Sequence, residues 1–124
     1  MTIKNDIVIQ ASALTCAYGT SVILDNINFE VRRGEVFIIL GGSGCGKSTL
    51  LKHLIGLYQP AGGSIKIIDQ DLVHANQQEH RRILKNIGVM YQSGALFGSM
   101  SLLENVRLPL EEHTALDTHA MNLI

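Results

Sequence analysis

The sequence predicts an α/β fold: a parallel sheet with helices packed on it, and antiparallel strands nearer the N-terminus. Three stretches carry that prediction. INFEVR (27–32) alternates Ile27, Phe29 and Val31 with Asn28, Glu30 and Arg32, the period of a half-buried antiparallel strand. VFIIL (36–40) is apolar throughout, as a strand covered on both faces would be. GGSGCGKST (41–49) then sets four glycines between that strand and an amphipathic stretch with helical spacing.

In chain order, residues 6–14 and 22–31 are rich in Ile, Val and Leu, and Arg33-Gly34-Glu35 is a tight turn. A helix is predicted at roughly 47–57, where Leu50, Leu54 and Leu57 form one row and Leu51, Ile55 and Tyr58 the adjacent one. Pro60, Gly62 and Gly63 are expected to end it. SIKII (64–68) is a short strand and IGVMY (87–91) a further one. Between them, residues 76–86 look helical, with Asn76 as N-cap and Glu79 three positions on. Ser101 and Glu104 form a capping box for a short helix that Pro109 limits. Thr114 to Asp117 starts another helix, with a turn or two before Ile124.

The chain of 124 residues suits one domain, and 46% hydrophobic against 17% charged residues excludes a disordered one. Ten Lys and Arg against eleven Asp and Glu argue against bulk attraction to nucleic acid, so no nucleic-acid partner is expected. Cys16 and Cys45 show neither metal-ligand spacing nor a disulfide framework, which fits a reducing compartment. Asp6 and Gln10 interrupt the apolar residues of the N-terminus, and Val36 to Leu40 is far too short to cross a bilayer. The expected location is therefore cytoplasmic.

Gly41-x-x-x-x-Gly46-Lys47-Ser48 is a phosphate-binding loop pattern in its proper context, with a buried strand before it and a helix after it. Glycines let successive backbone N–H groups converge on one anion, and the start of the helix adds unpaired N–H groups and its positive end. Lys47 suits the β- and γ-phosphates of a nucleoside triphosphate, and the Ser48 hydroxyl is a hard oxygen ligand for Mg²⁺. The competing reading is a plain glycine turn, which the full pattern and its setting disfavour. Cys45 reads as a small loop residue.

With Tyr18, the glycine loop and YQSGALF (91–97), the chain resembles the ATP-binding subunits of ABC transporters from residue 6 to about 120. The resemblance implies a P-loop NTPase-type parallel core with an N-terminal antiparallel β subdomain, reaching to about residue 92. The start of the helical subdomain would follow at about 93–124. It implies ATP and Mg²⁺ as ligands, with Gly41, Gly42, Ser43, Gly44, Cys45, Gly46, Lys47, Ser48 and Thr49 around the phosphates. Tyr18 would stack on adenine; by itself it reads equally as a packing residue at a strand end. Gln92, otherwise an ordinary loop amide, would be the Q-loop glutamine that meets Mg²⁺ and couples to a membrane-spanning subunit. A second ATP-binding subunit is implied, as is a peripheral place on the cytoplasmic face of the inner membrane. QSGALFGSMSLLENVRLPLEEHT (92–114) is similar to ATPases of Mla/Mce-type lipid transport systems. Asp69 stands where the family often has glycine in the turn of IKIIDQDL, which leaves that hairpin's geometry open.

The family also needs a Walker B carboxylate pair, an LSGGQ-type signature and a switch histidine. IKIID (65–69) and VILD (22–25) lack the catalytic Glu, no LSGGQ-like run occurs, and all five histidines read as surface or helix residues. The expectation is a truncated N-terminal half that holds ATP and turns it over little. Two alternatives stand beside it: a non-catalytic nucleotide-binding fragment, and a different P-loop enzyme such as a small-molecule kinase. A sensitive ATPase assay separates the first, and phosphate transfer to an acceptor the second.

Overall fold

A computed structural model describes residues 6–124. Two long strands, β1 (Ile7–Tyr18) and β2 (Ser21–Arg32), pair antiparallel as a hairpin whose last pair is Tyr18 with Ser21. Helix α1 (Lys47–Leu54) follows, then β3 (Gly62–Ile67), β4 (Gln70–Asp71) and helix α2 (Gln77–Leu84). Helices α3 (Leu102–His113) and α4 (Thr118–Leu123) complete the order. The sheet runs β2-β1-β3-β4 and every pairing in it is antiparallel. The chain divides into two units, one ending at Ile87 and one spanning Gly88–Ile124.

One face of the sheet makes the core of the first unit. Leu14 and Cys16 of β1 and Ile65 and Ile67 of β3 are buried with Leu50 and Leu54 of α1, Leu72 and Ile83. The predicted row Leu50–Leu54 is thus the packing edge of α1, but Leu57 is exposed and the other buried positions are Thr49 and His53. His53 corrects the reading of the histidines as ordinary: it is 0% exposed.

The helix also ends earlier than predicted, at Leu54 rather than Leu57, and its stop signal is Gly56 rather than Pro60. Gly56 takes φ 76°, a left-handed conformation that glycine adopts without a Cβ penalty. Its N–H bonds the carbonyl of His53 at 3.1 Å, and that of Leu57 the carbonyl of Lys52 at 2.9 Å. These two bonds are a Schellman closure, and they turn the chain back across the helix end.

Two predicted strands, 36–40 and 87–91, carry no ladder among the described residues. Val36, Ile38 and Leu40 are 85%, 69% and 86% exposed, while Phe37 lies flat against Phe29 with centroids 5.0 Å apart. A parallel strand needs cover on both faces and a hydrogen-bonded neighbour along at least one edge. The described residues give 36–40 partial cover on one alternation and no neighbour. The sheet that forms is the antiparallel one: β1–β2 and β3–β4 join through short turns, and β3 returns beside β1 after the glycine loop and α1.

The IKIIDQDL hairpin does form. Ile67 pairs with Gln70, and the two residues between them, Ile68 and Asp69, have φ 47° and 62°. Both values are positive, as in the primed turns that match strand twist. Asp71 then caps the exit: Oδ1 accepts from the N–H of Val73 at 2.8 Å, and Oδ2 faces His74 Nδ1 at 2.8 Å.

The predicted capping boxes are present at α2, through Asn76 and Glu79, and at α3, through Ser101 and Glu104. Asp117 caps α4 by accepting from the N–H of Ala120 at 2.7 Å. Pro109 does not limit α3, which runs past it to His113. The helix is held on both sides of the proline by the box at its start and by Arg107 Nε donating to Glu111 Oε1 at 2.6 Å. Pro109 costs one N–H bond to the carbonyl four residues back, and this helix absorbs it.

Candidate functional site

The glycine loop folds as a turn onto the start of α1. The N–H of Cys45 reaches the carbonyl of Gly42 at 3.3 Å, Gly44 has φ 79°, and Gly46 sits at the helix N-cap with φ 99° and ψ 8°. Gly46 meets two demands at once. Its conformation is left-handed, and a Cβ there would meet Ile23 Cγ2 and Leu24 Cγ at 3.1 Å. The N-cap has no side chain to accept from the first turn, and no acidic residue lies in that turn. The positive end of α1 and the N–H groups of Lys47, Ser48 and Thr49 are therefore left for an anion.

Lys47 lies over the same loop. Its Nζ donates to the carbonyl of Gly42 at 2.7 Å and to that of Gly41, and it is 3.7 Å from the exposed Cys45 thiol. Gly41 is packed so closely against Cys45 Sγ that a side chain at position 41 would collide with it. Ser43 and Ser48 are exposed, and neither hydroxyl is engaged in a hydrogen bond. Unpaired N–H donors at the start of α1, one ammonium and a free hydroxyl at Ser48 are the donor set that a triphosphate with a hard divalent cation requires. The residues present fit those groups.

Thr49 carries the site to Tyr18. The Thr49 hydroxyl beside the Tyr18 phenol, with Lys52 and Tyr58 adding to it, holds that phenol below the usual tyrosine range. The Tyr18 ring is 43% exposed at the end of β1 and meets the ring of Tyr58 edge to face, with centroids 5.4 Å apart. Lys52, His53 and Tyr58 are neighbours of the site that the sequence reading missed. The available signal was Gly56: read as the helix stop, it places Tyr58 against the end of α1 instead of on a continuing helix face. Gln92 belongs to the second unit, where it is exposed and makes no hydrogen bond, just before Gly94 and Ala95 with φ 77° and 65°.

The family model described as ABC transporter matches residues 24–123, more than half of the chain. The chain belongs to the ABC transporter family. Among curated relatives, it is 44% identical over 108 residues to the probable ribonucleotide transport ATP-binding protein mkl of Mycobacterium leprae, covering 87% of this chain and 31% of that protein. It is 38% identical over 120 residues to the intermembrane phospholipid transport system ATP-binding protein MlaF of Haemophilus influenzae, covering 97% and 46%. A methionine import ATP-binding protein MetN of Francisella tularensis is 42% identical over 92 residues, covering 74% and 26%. The chain thus spans less than half the length of these relatives.

Solved ABC cassettes share the fold. A dimeric ATP-binding cassette, MJ0796, in a post-hydrolysis state bound to ADP and Pi superposes with a TM-score of 0.83 at 28% identity, over 93% of this chain and 53% of that one. The predicted fold class stands on that likeness, with the antiparallel sheet as the part formed among the described residues. Among these residues no helix is long and apolar enough to cross a membrane.

Proposed function

We propose that this chain is the nucleotide-holding part of an ABC transporter's ATP-binding subunit. The observation that carries the reading is the loop at the start of α1: an uncapped helix end, Gly46 at φ 99°, and Lys47 and Ser48 beside it. The backbone of Gly41 to Thr49 and the Lys47 ammonium would bind the phosphates of ATP, and Tyr18 would take the adenine. Ser48 would hold Mg²⁺, which when bound neutralises phosphate charge. The kinase alternative loses its ground with family membership.

In the whole protein, ATP binding and hydrolysis would energise transport through a membrane-spanning subunit. That subunit would be met by Gln92 and the helices after it, which we assign to the start of the helical subdomain at about 93–124. A second ATP-binding subunit completes the proposal, with both peripheral on the cytoplasmic face of the inner membrane. For the cargo we infer a phospholipid or related lipid. The MlaF relative supports this by aligning over 97% of the chain, against 74% for the methionine importer.

Titration calorimetry with ATP and Mg²⁺ on Lys47→Ala tests the site. Removing a charge partner of the phosphates is expected to weaken binding by at least ~30-fold; unchanged affinity refutes the assignment. For the cargo, the subunit reconstituted with its membrane partner in vesicles is expected to move labelled phospholipid when ATP is supplied. Movement of methionine or ribonucleotide in its place refutes the lipid reading.

A further inference from the structure

A chain of contacts links the aromatic at the end of β1 to the helix that follows the phosphate loop. Tyr18 meets Tyr58 with an interplanar angle of 78°. Tyr58 meets the ring of His53 at 5.8 Å and 61°, and Lys52 Nζ lies 5.6 Å from the Tyr58 centroid. His53 Nδ1 is 2.7 Å from the carbonyl oxygen of Thr49. A carbonyl has no proton to give, so Nδ1 carries one and donates. That bond, together with complete burial, fixes the imidazole ring on α1.

The geometry of the ring pair decides what Tyr58 can do for Tyr18. In an edge-to-face pair the edge of one ring meets the face of the other. Whichever ring supplies the edge, at least one face of Tyr18 stays uncovered, in keeping with its exposure. Tyr58 is itself pinned by three features: the turn at Gly56, the His53 ring, and its N–H to the carbonyl of Lys52 at 3.3 Å.

We propose that Tyr58 is a positioning residue for nucleobase recognition: it holds Tyr18 in an edge-to-face pair, keeps one face open to a purine, and through His53 ties that platform to the helix that carries Lys47. This rests on reading Tyr18 as the purine contact. The recognition energy of the base and that of the phosphates then enter through different side chains, Tyr18 on β1 and Lys47 on α1. Loss of Tyr58 weakens base affinity and leaves phosphate affinity in place.

The test compares ATP with inorganic tripolyphosphate, both with Mg²⁺, by calorimetry on the full chain carrying Tyr58→Ala, Tyr58→Phe or Tyr18→Ala. Tyr58→Ala is expected to weaken ATP about tenfold while tripolyphosphate stays within about twofold, since a base–aromatic stack is lost in part and the phosphate loop is untouched. Tyr58→Phe keeps the ring pair and is expected to restore ATP to within about threefold of the parent. If Tyr58→Ala weakens both ligands alike, or neither, the positioning role is overturned. If Tyr18→Ala lowers the ATP-to-tripolyphosphate affinity ratio and Tyr58→Ala does not, Tyr18 is the base contact and Tyr58 has no part in it. A ratio unmoved by Tyr18→Ala overturns both readings of the aromatic platform, and Lys47→Ala still reports on the phosphate loop separately.

Discussion

Gly56→Ala is expected to destabilise the first unit by about 2–3 kcal/mol, from two separable causes. The first is backbone: Gly56 has φ 76°, and an L-residue in the left-handed region costs roughly 1–2 kcal/mol. The second is steric. A Cβ at Gly56 would stand 2.6 Å from His80 Nε2 and 3.0 Å from Cε1, so the imidazole must swing off its preferred rotamer, at about 0.5–1.5 kcal/mol. Urea unfolding measures the sum; with a slope of about 1–3 kcal/mol/M, the midpoint falls by ~1 M or more. A double-mutant cycle with His80→Ala separates the two parts. In the His80→Ala background the steric part vanishes and only the backbone part remains, a penalty of about 1–2 kcal/mol. The reasoning is refuted if Gly56→Ala shifts stability by less than about 0.5 kcal/mol, or if its penalty is the same with and without His80.

Three further outcomes follow from the same geometry. Asp69→Val is expected to cost about 1–2 kcal/mol by chemical denaturation, because a β-branched residue resists φ 62°, whereas Asp69→Gly stays within about 0.5 kcal/mol. Pro109→Ala is expected to raise the helicity of α3 and its resistance to unfolding by ~1–3 kcal/mol, seen by circular dichroism, since the residue is exposed and regains an N–H for the carbonyl of Asn105. Burial raises the Asp71 carboxyl pKa, but hydrogen bonds from His74 and Val73 more than offset this and leave it below the usual carboxylate range. Its contribution is therefore present above the unfolded value near ~3.9 and is lost as pH falls through the lower folded value. Asp71→Asn should accordingly remove part of the acid-induced loss of stability below about pH 4, by under ~1 kcal/mol for so exposed a pair.

The sequence by itself determined the features whose partners lie within a few residues. Asn76 with Glu79, Ser101 with Glu104, and the succession Gly46-Lys47-Ser48 act over a single helical turn, so residue type and spacing suffice to place them. The turn at Ile68-Asp69 does not belong with these: the sequence left its geometry open at Asp69, and Ile68, read as the end of a strand, takes φ 47° in the turn itself. Tertiary structure decided everything that depended on neighbours distant in the chain. VFIIL reads as a doubly covered strand, yet apolar composition states only that cover is wanted, and Val36, Ile38 and Leu40 lie bare among the described residues. His53 has the same helical spacing as an exposed histidine; the sheet face of Leu14 and Ile65 is what buries helix α1 on that side. Tyr58 was legible as a helix-face residue until the turn at Gly56 carried it back to Tyr18, a contact across forty positions of sequence that no local period encodes. Local hydrogen-bond chemistry is written in adjacent residues, whereas burial and ring contacts are properties of whichever surfaces the folded chain brings together.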